Sequence, residues 1–245
     1  MSRTVVSEHL RENYDGYYSA GDSEWRRLGA IDKVENIVAL CNGLPRRKVL
    51  EIGAGEGSIL RRLSELEFGE DLFGLEISAS GVAAIKGKQI PRLAECQLFD
   101  GYHVPYEDGA FDIAILSHVV EHVEHPRQLL AEASRVARYL LVEVPLEDTI
   151  RLPDDYVQDA VGHINFYSPV TIRRLLQTAG LKVLAQRIGN PSKATYLYQK
   201  GVKGLFDFYI KALLLAVAPR LATRLFVYHG ALLCQVSHES GQLAP

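Results

Sequence analysis

The feature that most narrows the fold is a short apolar run that breaks into alternating glycines, Val49-Leu50-Glu51-Ile52-Gly53-Ala54-Gly55-Glu56-Gly57-Ser58. Glycine enters left-handed backbone conformations without steric cost, so three at alternate positions mark a tight turn. Apolar residues then recur at helical spacing, at Ile59, Leu60, Leu63 and Leu66. A second apolar run, Leu72-Phe73-Gly74-Leu75-Glu76-Ile77, follows and closes on a carboxylate. Strand, glycine turn, helix and a second strand ending in an acid form the front half of a nucleotide-binding βαβ unit.

The alternation continues along the chain. Its pattern predicts strands over 48–52, 72–77, 94–99, 111–116 and 139–144, with helices over 79–88 and 127–137. Apolar strands alternating with amphipathic helices call for parallel strands covered on both faces. After a polar stretch over 147–163, order resumes at Ser168-Pro169, an N-cap with proline at the first helical position. That helix is expected to stop at Gly180, which suits the left-handed residue after a helix. A strand over 181–188, an apolar helix over 205–217 and a last strand over 226–236 finish the chain, giving an antiparallel pair at one side of the sheet. Residues 8–40 read as helical around a break at 21–23; their aromatics Tyr14, Tyr17, Tyr18 and Trp25 serve either as the core of a cap or as a cover over a ligand. The expected organisation is a single domain over 1–245: a helical cap to residue 40, a binding core over 44–189, an apolar insert over 190–225 and the last strand.

Bulk properties remove several classes of function. Hydrophobic residues make up 47% and charged residues 23%, ordinary for a globule with a substantial core. A net charge of −3 argues against a nucleic-acid surface, and the pairs Arg26-Arg27, Arg46-Arg47 and Arg61-Arg62 read as solvated faces. Cys41, Cys96 and Cys234 have neither metal-type spacing nor a disulfide framework, which suits a reducing cytoplasm. The N-terminus lacks an apolar signal core. The segment over 205–217 carries Asp207 and Lys211 and falls short of the roughly 20 apolar residues of a membrane span.

The identity of the nucleotide turns on Glu51. A dinucleotide site needs Gly-x-Gly-x-x-Gly to lay a pyrophosphate on the helix N-terminus, and Ser58 stands where its third glycine would be. Glu51, at the mouth of the first strand, would repel a diphosphate and attract an ammonium. S-adenosylmethionine, with an ammonium, a sulfonium and no phosphate, meets that requirement.

Glu-x-Gly-x-Gly-x-Gly at 51–57 resembles motif I of the class I S-adenosylmethionine-dependent methyltransferases, and in particular small-molecule enzymes of the kind that includes those of the ubiquinone pathway. Further along, Pro105-Tyr106-Glu107-Asp108-Gly109-Ala110-Phe111-Asp112, Ser117-His118-Val119-Val120-Glu121-His122-Val123 and Gly162-His163-Ile164-Asn165-Phe166-Tyr167-Ser168-Pro169 resemble later family segments in order and spacing. The likeness runs from about 49 to 189. It implies a Rossmann-like seven-stranded sheet in the order 3-2-1-4-5-7-6, last strand antiparallel, with helices on both faces. It also implies cofactor contacts at Glu51, Gly53, Ala54, Gly55 and Ser117, with Gly53 and Gly55 acting through backbone N–H groups and close approach. Glu76 would hold the ribose hydroxyls, Ile77 would cover an adenine face, and Phe99-Asp100-Gly101 would meet the adenine edge through Asp100. Gly57 is expected to serve helix–strand packing instead.

Methyl transfer by in-line displacement needs alignment and exclusion of water, and a hydroxyl acceptor also needs a base. His163, in the variable stretch facing the acceptor, is the first candidate for that base, and His118, nearest the methionine end of the cofactor, is the second. His122 reads as a packing residue, His125 as a loop residue, and no metal is called for. The family segment for adenine or amide nitrogen, Asn/Asp-Pro-Pro-Tyr, is replaced by Ser117-His118-Val119-Val120, so the expected acceptor is an oxygen of a small molecule, lipid-like or a sugar, with nitrogen or carbon behind it. The apolar helix over 205–217 is expected to be buried against the sheet or in a homodimer, with a lid or membrane-surface contact as alternatives. Two rivals stay open: an NAD(P)-dependent Rossmann oxidoreductase, and an S-adenosylmethionine-binding protein without catalysis.

Overall fold

The computed structural model describes residues 5–8, 11, 23–155 and 162–236. Helix α1 (Ser23–Leu40) precedes β1 (Lys48–Ile52), α2 (Ser58–Glu65), β2 (Asp71–Glu76), α3 (Ala79–Gly87), β3 (Leu93–Leu98) and β4 (Phe111–Ser117). Then come α4 (Pro126–Val136), β5 (Ala137–Pro145), α5 (Pro169–Thr178), β6 (Leu181–Gly189), α6 (Lys193–Lys200), α7 (Val202–Val217), α8 (Pro219–Leu225) and β7 (His229–Val236). The strands form one sheet in the order β3-β2-β1-β4-β5-β7-β6, with β7 antiparallel to both neighbours. This is the expected Rossmann-like order. Tyr14, Tyr17 and Tyr18 of the expected cap lie outside the described residues.

Alternation along each strand builds two cores. Leu50, Ile52, Leu140 and Val142 face α4 and α5, where Leu129, Leu130, Ile172 and Leu176 are buried. Val49, Ile113, Ile115 and Leu141 face α1 and α2, against Val34, Ile37, Leu60 and Leu63. The period of two carries Glu51 and Glu143 onto this second face, beneath α1. The helix punctuation behaves as expected. Ser168 and Thr171 form a capping box ahead of Pro169, and Gly180 takes φ +85° after α5.

Two expectations fail. Arg26 is not a solvated cation: it pairs with Glu56 at 3.3 Å, and its side chain is only 13% exposed. Nor is the apolar helix buried against the sheet within the chain, which leaves the homodimer, lid and membrane-surface expectations untouched. In α7 only Gly204 is buried, while Val202, Phe206, Leu213 and Val217 are 65–80% exposed. The helix leans on α6, and Gly204 permits this: a Cβ there would stand 2.2 Å from the Tyr196 carbonyl oxygen. A backbone atom cannot rotate away, so Gly204→Ala is expected to cost about 1–3 kcal/mol by forcing the helices apart. A chemical denaturation midpoint unchanged from wild type would refute this. Among the described residues, no helix is long and apolar enough to cross a membrane.

Candidate active site

Chain order reverses between β1 and β4, and in open α/β sheets the crevice outside the carboxyl ends of such strands receives ligands. A cleft of about 60 Å³ opens there, lined by Val6, Gly53, Glu76, Ile77, Gly101 and His118 among others. A larger concavity of about 680 Å³ lies along α3 and the outer edge strand β3, far from the clustered acids and histidines. The smaller cleft is the chemical one.

The glycine turn is held from within. Gly53 and Ala54 both donate their N–H groups to the Leu75 carbonyl at 2.8 and 2.9 Å, and Gly55 N–H donates to Glu76 Oε2 at 2.8 Å. The expected role of these glycines as N–H donors to a ligand is thereby taken up inside the protein; what they offer is close approach. Gly53, Gly55 and Gly57 all have positive φ, and a Cβ on Gly53 would strike Val119. Gly57 packs against Ile85 of α3, a contact with a helix rather than the helix–strand packing expected of it. Glu76 Oε1 accepts from Ser78 N–H at 3.0 Å, so both carboxylate oxygens already hold backbone donors. Burial raises its pKa, and these donors pull it back.

Glu51 is different. It is 2% exposed, its Oε2 has no hydrogen-bond partner, and burial pushes its carboxyl up to about 8. Lys33 of α1 offsets part of that burial cost, and Glu76 adds to it. A buried carboxyl with an orphaned oxygen is costly unless a cation or donor arrives. Ser117, at the end of β4, is likewise buried with an unpartnered hydroxyl. Asp100 behaves largely as a turn-former: its Oδ1 accepts from Tyr102 and His103 N–H groups at 3.0 and 2.7 Å. Val6 crosses beside it, donating its N–H to the Asp100 carbonyl and packing on Gly101.

Four histidines gather at and beside this cleft, two of them, His118 and His122, lining it. His118 sits at φ +57°, a strained conformation for a non-glycine residue. Burial holds its pKa well below the usual histidine value, and its Nδ1 lies 3.2 Å from Glu121 Oε1. His163 is buried with Nδ1 at 2.7 Å from Glu147 Oε2. His122 turns Nδ1 to the Gly162 carbonyl at 3.2 Å, and its ring meets that of His163 at 4.7 Å. His125 caps α4, away from this group. The fourth member, His229, begins β7 and was not singled out from sequence. Neither were Lys33, Asn36, Glu143 and Glu147, nor Gly81, whose Cβ would meet the Gly55 carbonyl at 2.7 Å and so fixes how closely α3 approaches the glycine turn. Glycine at the first turn of a helix was the available signal for Gly81; no local pattern marks the others.

A family model described as "Methyltransferase domain" matches residues 23–186. Norajmaline N-methyltransferase of Rauvolfia serpentina is 24% identical over 147 residues, covering 54% of this chain and 48% of that protein. A probable chloroplastic tocopherol O-methyltransferase of Oryza sativa subsp. japonica is 26% identical over 148 residues, covering 55% and 39%. The chain thus spans about half or less of the length of these curated relatives. Among solved structures, geranyl diphosphate C-methyltransferase from Streptomyces coelicolor A3(2) superposes with a TM-score of 0.65 at 11% identity, over 96% of this chain and 100% of that one. At that identity the likeness concerns the fold.

Proposed function

Because this chain belongs to the methyltransferase-domain family, we propose that it transfers a methyl group from S-adenosylmethionine to an oxygen of a small-molecule acceptor. The observation that carries the cofactor is the orphaned, buried Glu51 carboxyl at the mouth of β1, which fits an ammonium and disfavours the diphosphate of a nicotinamide cofactor. Glu76 would hold the ribose, exchanging a backbone donor for a hydroxyl, and Ile77 would cover the base; Gly53 lets both approach. When bound, the cofactor supplies a methyl group on a sulfonium, already activated for displacement.

The relatives' names span nitrogen, oxygen and carbon acceptors and so do not choose the atom. The His163–Glu147 pair favours oxygen. A carboxylate on Nδ1 orients the ring and steadies the imidazolium that forms when it takes a proton. Such a base is needed for a hydroxyl and not for a neutral amine. His163→Ala is expected to lower turnover about 100-fold or more, with adenosylhomocysteine affinity within about threefold because the cleft that Glu76 lines does not have His163 in its wall. Methyl-labelled cofactor and a panel of hydroxyl, amine and carbon acceptors read both quantities. Collapse of affinity with turnover retained would remove His163 from the role.

A further inference from the structure

A second set of buried groups lies beside the cleft, and the methyl-transfer reading leaves it without a task. His118 ends β4, Glu143 lies in β5, and His229 begins β7; one nitrogen or oxygen from each falls within 4.8 Å of the other two. Glu143 is wholly buried. Its Oε1 accepts from Asn36 Nδ2 at 3.3 Å and faces His229 Nδ1 at 3.4 Å, while its Oε2 has no hydrogen-bond partner. His118 is its counterpart: Nδ1 faces Glu121, and Nε2 is buried with no partner. The two imidazoles meet edge to face at 4.8 Å.

An imidazole with a carboxylate oxygen 3.2 Å from one nitrogen and the other nitrogen bare is placed as a metal-binding histidine commonly is, one nitrogen toward an acid and one toward the ion. A buried carboxylate with one oxygen anchored by an amide and one orphaned is prepared in the same way. We propose that His118, Glu143 and His229 bind a divalent first-row transition metal such as Zn²⁺, Co²⁺, Mn²⁺ or Fe²⁺. Two imidazole nitrogens and one carboxylate favour that class over Mg²⁺ and Ca²⁺, which take all-oxygen shells. Three protein ligands leave coordination positions open, and one of the three, His118, also lines the cleft. There the ion would bind the acceptor oxygen and ease loss of its proton. That use rests on the proposed transfer to oxygen; binding of the ion does not. A neighbouring group, Glu121 with His122 and His163, shares none of these ligands and is the competing location.

The test uses the full chain, stripped with chelator and titrated with Co²⁺ while visible absorption and heat are recorded, followed by metal analysis after gel filtration with Zn²⁺. About one ion per chain is expected, with affinity reduced about 10–100-fold or more in His229→Ala and in Glu143→Gln and unchanged in His163→Ala. His229 lies partly exposed at a strand end, so its variant carries the result should Glu143→Gln fail to fold. No stoichiometric uptake by the wild type, uptake indifferent to His229→Ala, or loss on His163→Ala instead would each overturn the assignment. Adenosylhomocysteine affinity measured in chelator separates the outcomes: its retention with no metal uptake refutes this site alone, and its absence refutes the cofactor reading alone.

Discussion

Glu51→Gln is expected to stabilise the ligand-free protein while removing most of its affinity for S-adenosylmethionine. The carboxyl titrates at about 8 in the fold against an ordinary value of 4.5, so between those pH values the native chain keeps a proton that the unfolded chain releases. Stability therefore falls as pH rises through this window, by up to about 1.4 kcal/mol per unit. Glutamine has no proton to lose. The gain should be negligible near pH 5 and reach about 2–4 kcal/mol at pH 8, roughly 5–10 °C in melting temperature for a domain of this size. Lys33 and Glu76 act on the charged carboxylate alone and so drop out with glutamine, while the Leu60 N–H still has a side-chain oxygen to meet. The affinity loss should be about 10–100-fold, the value of one charge-assisted contact. Because the cofactor's ammonium needs the carboxylate, wild-type binding should release a proton below pH 8 and strengthen from pH 6 to 8. Calorimetry in two buffers of different ionisation heat measures that release. A melting temperature lowered by Glu51→Gln at pH 8 would refute the burial argument.

Glu76→Ala should act in the opposite direction on stability. Its carboxylate accepts from Gly55 and Ser78 N–H groups, and its removal leaves two buried donors unmade. About 2–4 kcal/mol of stability should be lost, together with a 10–100-fold fall in cofactor affinity from the missing ribose contact. The two acids lie near the ends of adjacent strands, yet one has an oxygen without a donor and the other holds two backbone donors. Equal shifts of melting temperature in both variants would contradict this distinction.

The two substitutions also separate binding from transfer. Neither touches His163 or Glu147, so saturating cofactor should restore turnover in Glu76→Ala once the protein is folded. The proposed preference for oxygen involves other residues, His163 and Glu147, on the segment after β5.

Most of the fold was legible from sequence because its signals are local. A strand, a glycine turn and a helix declare themselves within about ten residues, and the Ser168-Pro169 cap and Gly180 stop act within one turn of α5. The Glu51 argument was legible for the same reason: a charge at the end of an apolar run is costly wherever the strand goes. The register of β7 was not, since an antiparallel strand that follows some forty residues of helix and turn depends on what remains uncovered at the sheet edge. That pairing sets His229 beside Glu143, and α1 packing over the same face brings Asn36 and Lys33 to the acids. The exposure of α7 was equally hidden, because apolar composition states that a face needs covering and says nothing of whether the fold covers it. What the sequence by itself determined is the order of elements and the acid at the end of the first strand. Which histidine faces which carboxylate was decided by tertiary structure alone, since those partners are joined only by packing, across separations such as Asn36 to Glu143 that no local preference spans.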